Sequence, residues 1–63
     1  MNKITLNQIR CLNCGSVIIS THRHDFVTCK CGTVSVDGGT DYLRRCFHNS
    51  PEEDYEELSE HEE

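Results

Sequence analysis

Two close pairs of cysteines, Cys11-x-x-Cys14-Gly15 and Cys29-x-Cys31-Gly32, set the tightest limit on what this chain can fold into. A two-residue spacer lets both thiolates reach one ion from a single tight turn, and the glycine that follows lets the backbone curl so that amide groups point at sulfur. The fourteen residues between the pairs are enough for a hairpin that brings them together. Four sulfurs fill a tetrahedral shell and leave no position for water, so such a site holds a fold together and does no chemistry. The pattern predicts one structural Zn²⁺ per chain on Cys11, Cys14, Cys29 and Cys31. Iron suits the same four sulfurs, but the chain is poor in the aromatic residues expected around a redox centre.

The chain needs such a clamp. It has 63 residues, of which 35% are hydrophobic, with no Trp, two Phe and two Tyr. A chain of this size buries only ~60% of the surface its unfolded form exposes. A fifth cysteine, Cys46, makes the count odd, so the thiols cannot all pair within the chain. The N-terminus carries no apolar leader and nothing downstream is long enough to span a bilayer. A reduced, cytoplasmic protein with metal ligands is expected, rather than a disulfide framework. Cys46 is read as a half-buried apolar residue.

The remaining pattern predicts a small, metal-stabilised, β-rich domain. Ile4-Thr5-Leu6 alternates and, with Ile9, forms a strand entering the first cysteine pair. Ser16–Ser20 and Asp25–Thr28 form a hairpin whose tip is Thr21-His22-Arg23-His24. Thr33–Val36 alternates, Asp37-Gly38-Gly39-Thr40 is a turn, and Asp41–Phe47 returns as a strand with Arg44 and Arg45 on opposite faces. Ser50-Pro51-Glu52-Glu53 reads as a helix start with a serine cap. About two turns of acidic helix then dock through Tyr55 and Leu58, and the last four or five residues fray. Residues 1–50 form the body, and 51–63 form an acidic helix and tail of the same domain.

The net charge of −5 is unevenly spread: eight of the eleven acids lie between Pro51 and Glu63, where there is no Lys or Arg. His22 and His24 are one residue apart, which is not the spacing of a histidine-ligated finger. They read either as exposed turn residues partnered by Asp25 or as part of a contact surface. The candidate surface comprises His22, Arg23, His24, Asp25, Tyr42, Arg44 and Arg45.

The strings His22-Arg23-His24-Asp25-Phe26, Val36-Asp37-Gly38-Gly39, Asp41-Tyr42-Leu43-Arg44-Arg45 and Asp54-Tyr55-Glu56-Glu57-Leu58-Ser59, set around the cysteine pairs, resemble a family of small uncharacterised zinc-ribbon-like proteins. That family is found mainly in bacteriophages and bacterial mobile elements. The likeness runs from about Ile9 onward and implies a zinc ribbon with rubredoxin-like knuckles in a phage or prophage setting. It implies no activity. The Cys46-Phe47-His48 stretch departs from the glycine-containing turn expected after Arg45.

Three functions are in play. The first is a non-catalytic binding module, a phage or prophage accessory protein that contacts another protein through its surface and acidic tail. The second is a nucleic-acid-binding ribbon using Arg10, Arg23, Lys30, Arg44 and Arg45, against which the acidic balance counts. The third is capture of a small anionic ligand by Arg44 and Arg45. Catalysis is not expected, because no nucleophile–base spacing, phosphate loop or open metal position is present, and the body is too small for a deep pocket of the usual ~300–1,000 Å³.

Overall fold

Residues 3–62 are described in the computed structural model; Met1, Asn2 and Glu63, the last acid of the expected fraying end, lie outside them. The strands are β1 Lys3–Cys11, β2 Val17–Ser20, β3 Val27–Thr28, β4 Ser35–Asp37, β5 Arg44–Cys46, β6 Tyr55–Glu57 and β7 Glu60–Glu62, with one helical turn, α1 Pro51–Asp54. They form two antiparallel sheets. β1 is central to the first, with β2 on one side and β6 and β7 paired along it, and the second has the order β3-β4-β5. Among the described residues no helix is long and apolar enough to cross a membrane.

The first strand is longer than Ile4–Leu6 suggests, because its inward residues are Asn7, Ile9 and Cys11, all buried, while Ile4 and Leu6 stay half-exposed. Ile18 and Ser20 of β2 point inward with them. The shared core is Ile9, Cys11, Ile18, Cys29, Val34 and Val36, with Val27 and Tyr55 packed at its rim. Two of these six are cysteines. No side chain among the six is larger than isoleucine, so burial alone supplies little stability.

Three expectations are corrected. Ser16–Ser20 and Asp25–Thr28 do not pair as a hairpin: β2 pairs with β1 and β3 with β4, so residues 21–26 cross from one sheet to the other. The tight turn after Cys11 returns β2 directly onto β1, where Ile18 meets Ile9 and completes the buried row.

The acidic C-terminal helix is a single turn. Ser50 caps it as expected, its hydroxyl accepting from the Glu53 N–H at 3.2 Å. From Tyr55 the chain is extended and runs antiparallel down β1, with the Leu58 N–H bonded to the Gln8 carbonyl between β6 and β7. A helix here would have only Tyr55 and Leu58 to bury. As a strand, the segment satisfies its backbone on β1, and Glu56 and Glu57 gain Arg10 and Arg45 as partners. Cys46 is exposed rather than half-buried, because it lies on the outer face of β5.

Candidate metal centre

Each cysteine pair sits in a turn. The Gly15 N–H bonds to the Cys11 carbonyl at 2.8 Å, and the Gly32 N–H to the Cys29 carbonyl at 3.1 Å. Both glycines take positive φ, +77° and +78°, the left-handed region in which a side chain is strained. The two turns therefore end alike on a left-handed glycine, although the first closes over five residues and the second over four. Backbone amides approach the sulfurs, Cys14 N at 3.4 Å from Cys11 Sγ and Val34 N at 3.5 Å from Cys29 Sγ.

The turns face each other, and the four Sγ atoms lie within 4.8 Å of one another. Cys31 Sγ is 3.5 Å from both Cys11 Sγ and Cys29 Sγ. Four sulfurs about 2.3 Å from a common ion would stand about 3.8 Å apart. The observed separations bracket that value, so the four cysteines can hold one metal ion. Cys11 and Cys29 are buried and Cys14 and Cys31 are exposed.

The acidities of the thiols are split in the same way. Burial pushes the Cys11 thiol up to about 11. The Ser16 hydroxyl, 3.2 Å from Cys14 Sγ, brings that thiol down to about 7, and the Thr33 hydroxyl, 3.1 Å from Cys31 Sγ, brings Cys31 down to about 5. A bound cation deprotonates a coordinating thiol outright, so a metal ion held here would turn even the buried Cys11 into a thiolate ligand.

The candidate contact residues are spread over the 21–26 crossing and the chain from Tyr42 through β5. His24 and Tyr42 meet, with Tyr42 Oη 3.1 Å from His24 Nδ1 and the rings edge to face. Asp25 is turned back to accept from the Thr21 N–H at 2.9 Å, which holds its carboxyl below the usual range. His22, Arg23 and Arg44 are exposed. Arg45 is fully committed. Its Nε and Nη2 pair with Glu57 at 3.0 and 2.7 Å, Nη1 donates to Asn7 Oδ1 at 2.7 Å and to the Arg44 carbonyl, and Nη2 also reaches Ser59 Oγ at 2.8 Å. All five guanidinium N–H groups are occupied, so Arg45 has no donor left for an anion.

Two residues that carry the architecture escaped the sequence reading. Asn7, 1% exposed, donates from Nδ2 to the carbonyls of Asp37, Gly39 and Tyr42, at 3.1, 2.9 and 3.3 Å, which ties β1 to the Val36–Arg45 turn. Asp54, also buried, accepts from the backbone N–H groups of His48 and Asn49 at 2.7 and 2.6 Å, and its own carbonyl accepts from Leu12 N–H at 2.9 Å. The Asn49 amide and its neighbours hold the Asp54 carboxyl below the ordinary aspartate value. An Asn amid an alternating strand was the available signal for the first. For Asp54 there was none, since it stands in a run of acids.

Beside the metal centre is a cavity of about 310 Å³, bordered by Leu12, Asn13, Thr33, His48, Asn49 and Glu53. The hollow is open to solvent and forms where the two cysteine turns meet the residue 48–54 segment.

Residues 3–47 match the family described as a domain of unknown function, DUF7695, which takes in all five cysteines and stops before the acidic segment. No curated protein and no solved structure matches the chain.

Proposed function

The chain belongs to the DUF7695 family, and from that premise we propose that it is a zinc ribbon acting as a non-catalytic binding module. One Zn²⁺ on Cys11, Cys14, Cys29 and Cys31 would supply folding free energy and no reaction step. The observation that carries this reading is the gathering of four thiols, two of them in the core, within 4.8 Å. A four-cysteine shell is closed, which suits a structural ion. The zinc assignment rests on the donor set, and the phage or prophage setting in a bacterial cytoplasm rests on the sequence resemblance alone.

The partner in this reading is another protein, met through the acidic ridge of α1, β6 and β7. Glu56 and Glu57 are neutralised by Arg10 and Arg45, which leaves Glu52, Glu53, Glu60 and Glu62 as the exposed charges of that ridge. Nucleic-acid binding is the weaker alternative, because the same two arginines are taken up by acids. Removing residues 52–63 is a poor test of the ridge, since it would strip β6 and β7 from β1. Exchanging Glu52, Glu60 and Glu62 together for Gln keeps the strands and removes three of the four exposed charges. Affinity capture from a host lysate should lose specific partners with this variant while both proteins retain one zinc; identical captures would reject the ridge as the contact.

A further inference from the structure

We propose that the cavity beside the metal centre receives an arginine side chain of the protein partner, a refinement that rests on the binding-module reading. Its walls come from three separate stretches of chain. Leu12 and Asn13 belong to the first cysteine turn, Thr33 follows the second, and His48, Asn49 and Glu53 come from the loop and helical turn before β6. Two of the three are positioned by the cysteine cluster, so the hollow takes shape only where the two turns are held together.

The chemistry of the lining is one-sided. Asn13, Thr33, Asn49 and Glu53 offer side-chain oxygens, Asp54 adds a second carboxylate, and the one lining side chain that can take up positive charge is His48, with no Lys or Arg. Asp54 is saturated by its own loop and contributes charge rather than a contact. Glu53 is exposed, and among the described residues the ion pairs are those of Glu56, Asp25 and Glu57. A divalent ion on four thiolates carries a net −2 and adds to the same field.

A guanidinium matches several oxygens spread around a small hollow, because its five N–H donors form a planar fork. A volume of about 310 Å³ admits a side chain and excludes a folded element. Leu12, which borders the cavity, is 49% exposed, so the aliphatic stem of an entering arginine finds an apolar surface to cover.

The test is an amide-resolved NMR titration of the full, zinc-loaded chain with N-acetyl-arginine amide, using N-acetyl-citrulline amide as an uncharged probe of the same shape. Saturable shifts are expected at Asn13, Thr33, Asn49 and Glu53. Citrulline should bind about tenfold more weakly, and so should arginine with the E53Q variant, the loss of roughly one charge contact. The Glu53 side chain makes no bond on which the helical turn depends; its backbone N–H is what meets Ser50, so E53Q should fold. Equal shifts with both probes, shifts confined to β6 and β7, or no shifts in the folded protein would each overturn the proposal. The capture experiment with the ridge variant is decided independently, so failure here leaves the module reading to stand or fall by its own result.

Discussion

Replacing Asn7 with leucine keeps its approximate volume but leaves three carbonyls and one guanidinium N–H without their partner. Buried polar groups stranded in this way cost about 1–3 kcal/mol each. Counting the two amide protons and one oxygen of Asn7 as three bonds at the low end of that range, the N7L variant should lose at least about 3 kcal/mol in urea unfolding of the metal-loaded protein, although it makes the strand more apolar. A smaller loss would show that water reaches those carbonyls. Asp54 gives a prediction in pH. Its folded carboxyl lies below the ordinary value, and an unfolded aspartate titrates near about 3.9. Its contribution to stability is therefore complete above that value and is lost as pH falls through the lower, folded one. In the metal-loaded protein the Asp54 carboxyl carbon should be more fully ionised at pH 4 than a free aspartate, which is about half protonated there; a midpoint at or above 4 would contradict the bonding described. At this scale the sequence was readable where chemistry is repeated. Four cysteines with their glycines announce one another. Asn7 and Asp54 act through backbone groups far along the chain, and a single polar residue gives no sign of that.

Strands were legible wherever a β-branched run alternates, as at Val17–Ser20 and around Val36, but their partners were not. The Thr21–Asp25 segment carries turn chemistry suited to a hairpin tip, and Asp25 does close a local turn there. Which strands flank a turn is decided by what each one buries, and Ile18 is better placed on Ile9 than on Val27. The acidic segment failed for a related reason. Its helix start is genuine, since Ser50, Pro51 and Glu53 occupy the expected positions, yet one turn of helix has little to hold it, and an open edge of β1 was available to Tyr55–Glu62. Hydrogen exchange distinguishes the two accounts. Amides bonded to β1, such as that of Leu58, should exchange slowly in the metal-loaded protein. A frayed acidic helix would exchange them all at the free-chain rate.

The whole molecule is two thin sheets joined by a pair of cysteine turns, and its six-residue core includes two of the proposed ligands. Deleting the metal should therefore remove part of the core as well as the clamp, since thiols that repel or protonate cannot stay packed as they are. The fifth cysteine, exposed on β5, lies outside the cluster, so a C46S chain should behave as the parent does. The most direct measurement is a titration of Zn²⁺ into the reduced, metal-free chain, followed by the dispersion of its amide NMR spectrum. The account predicts a collapsed spectrum that becomes dispersed in proportion to added metal and saturates at one ion per chain. A metal-free chain already fully dispersed in reducing buffer would contradict it.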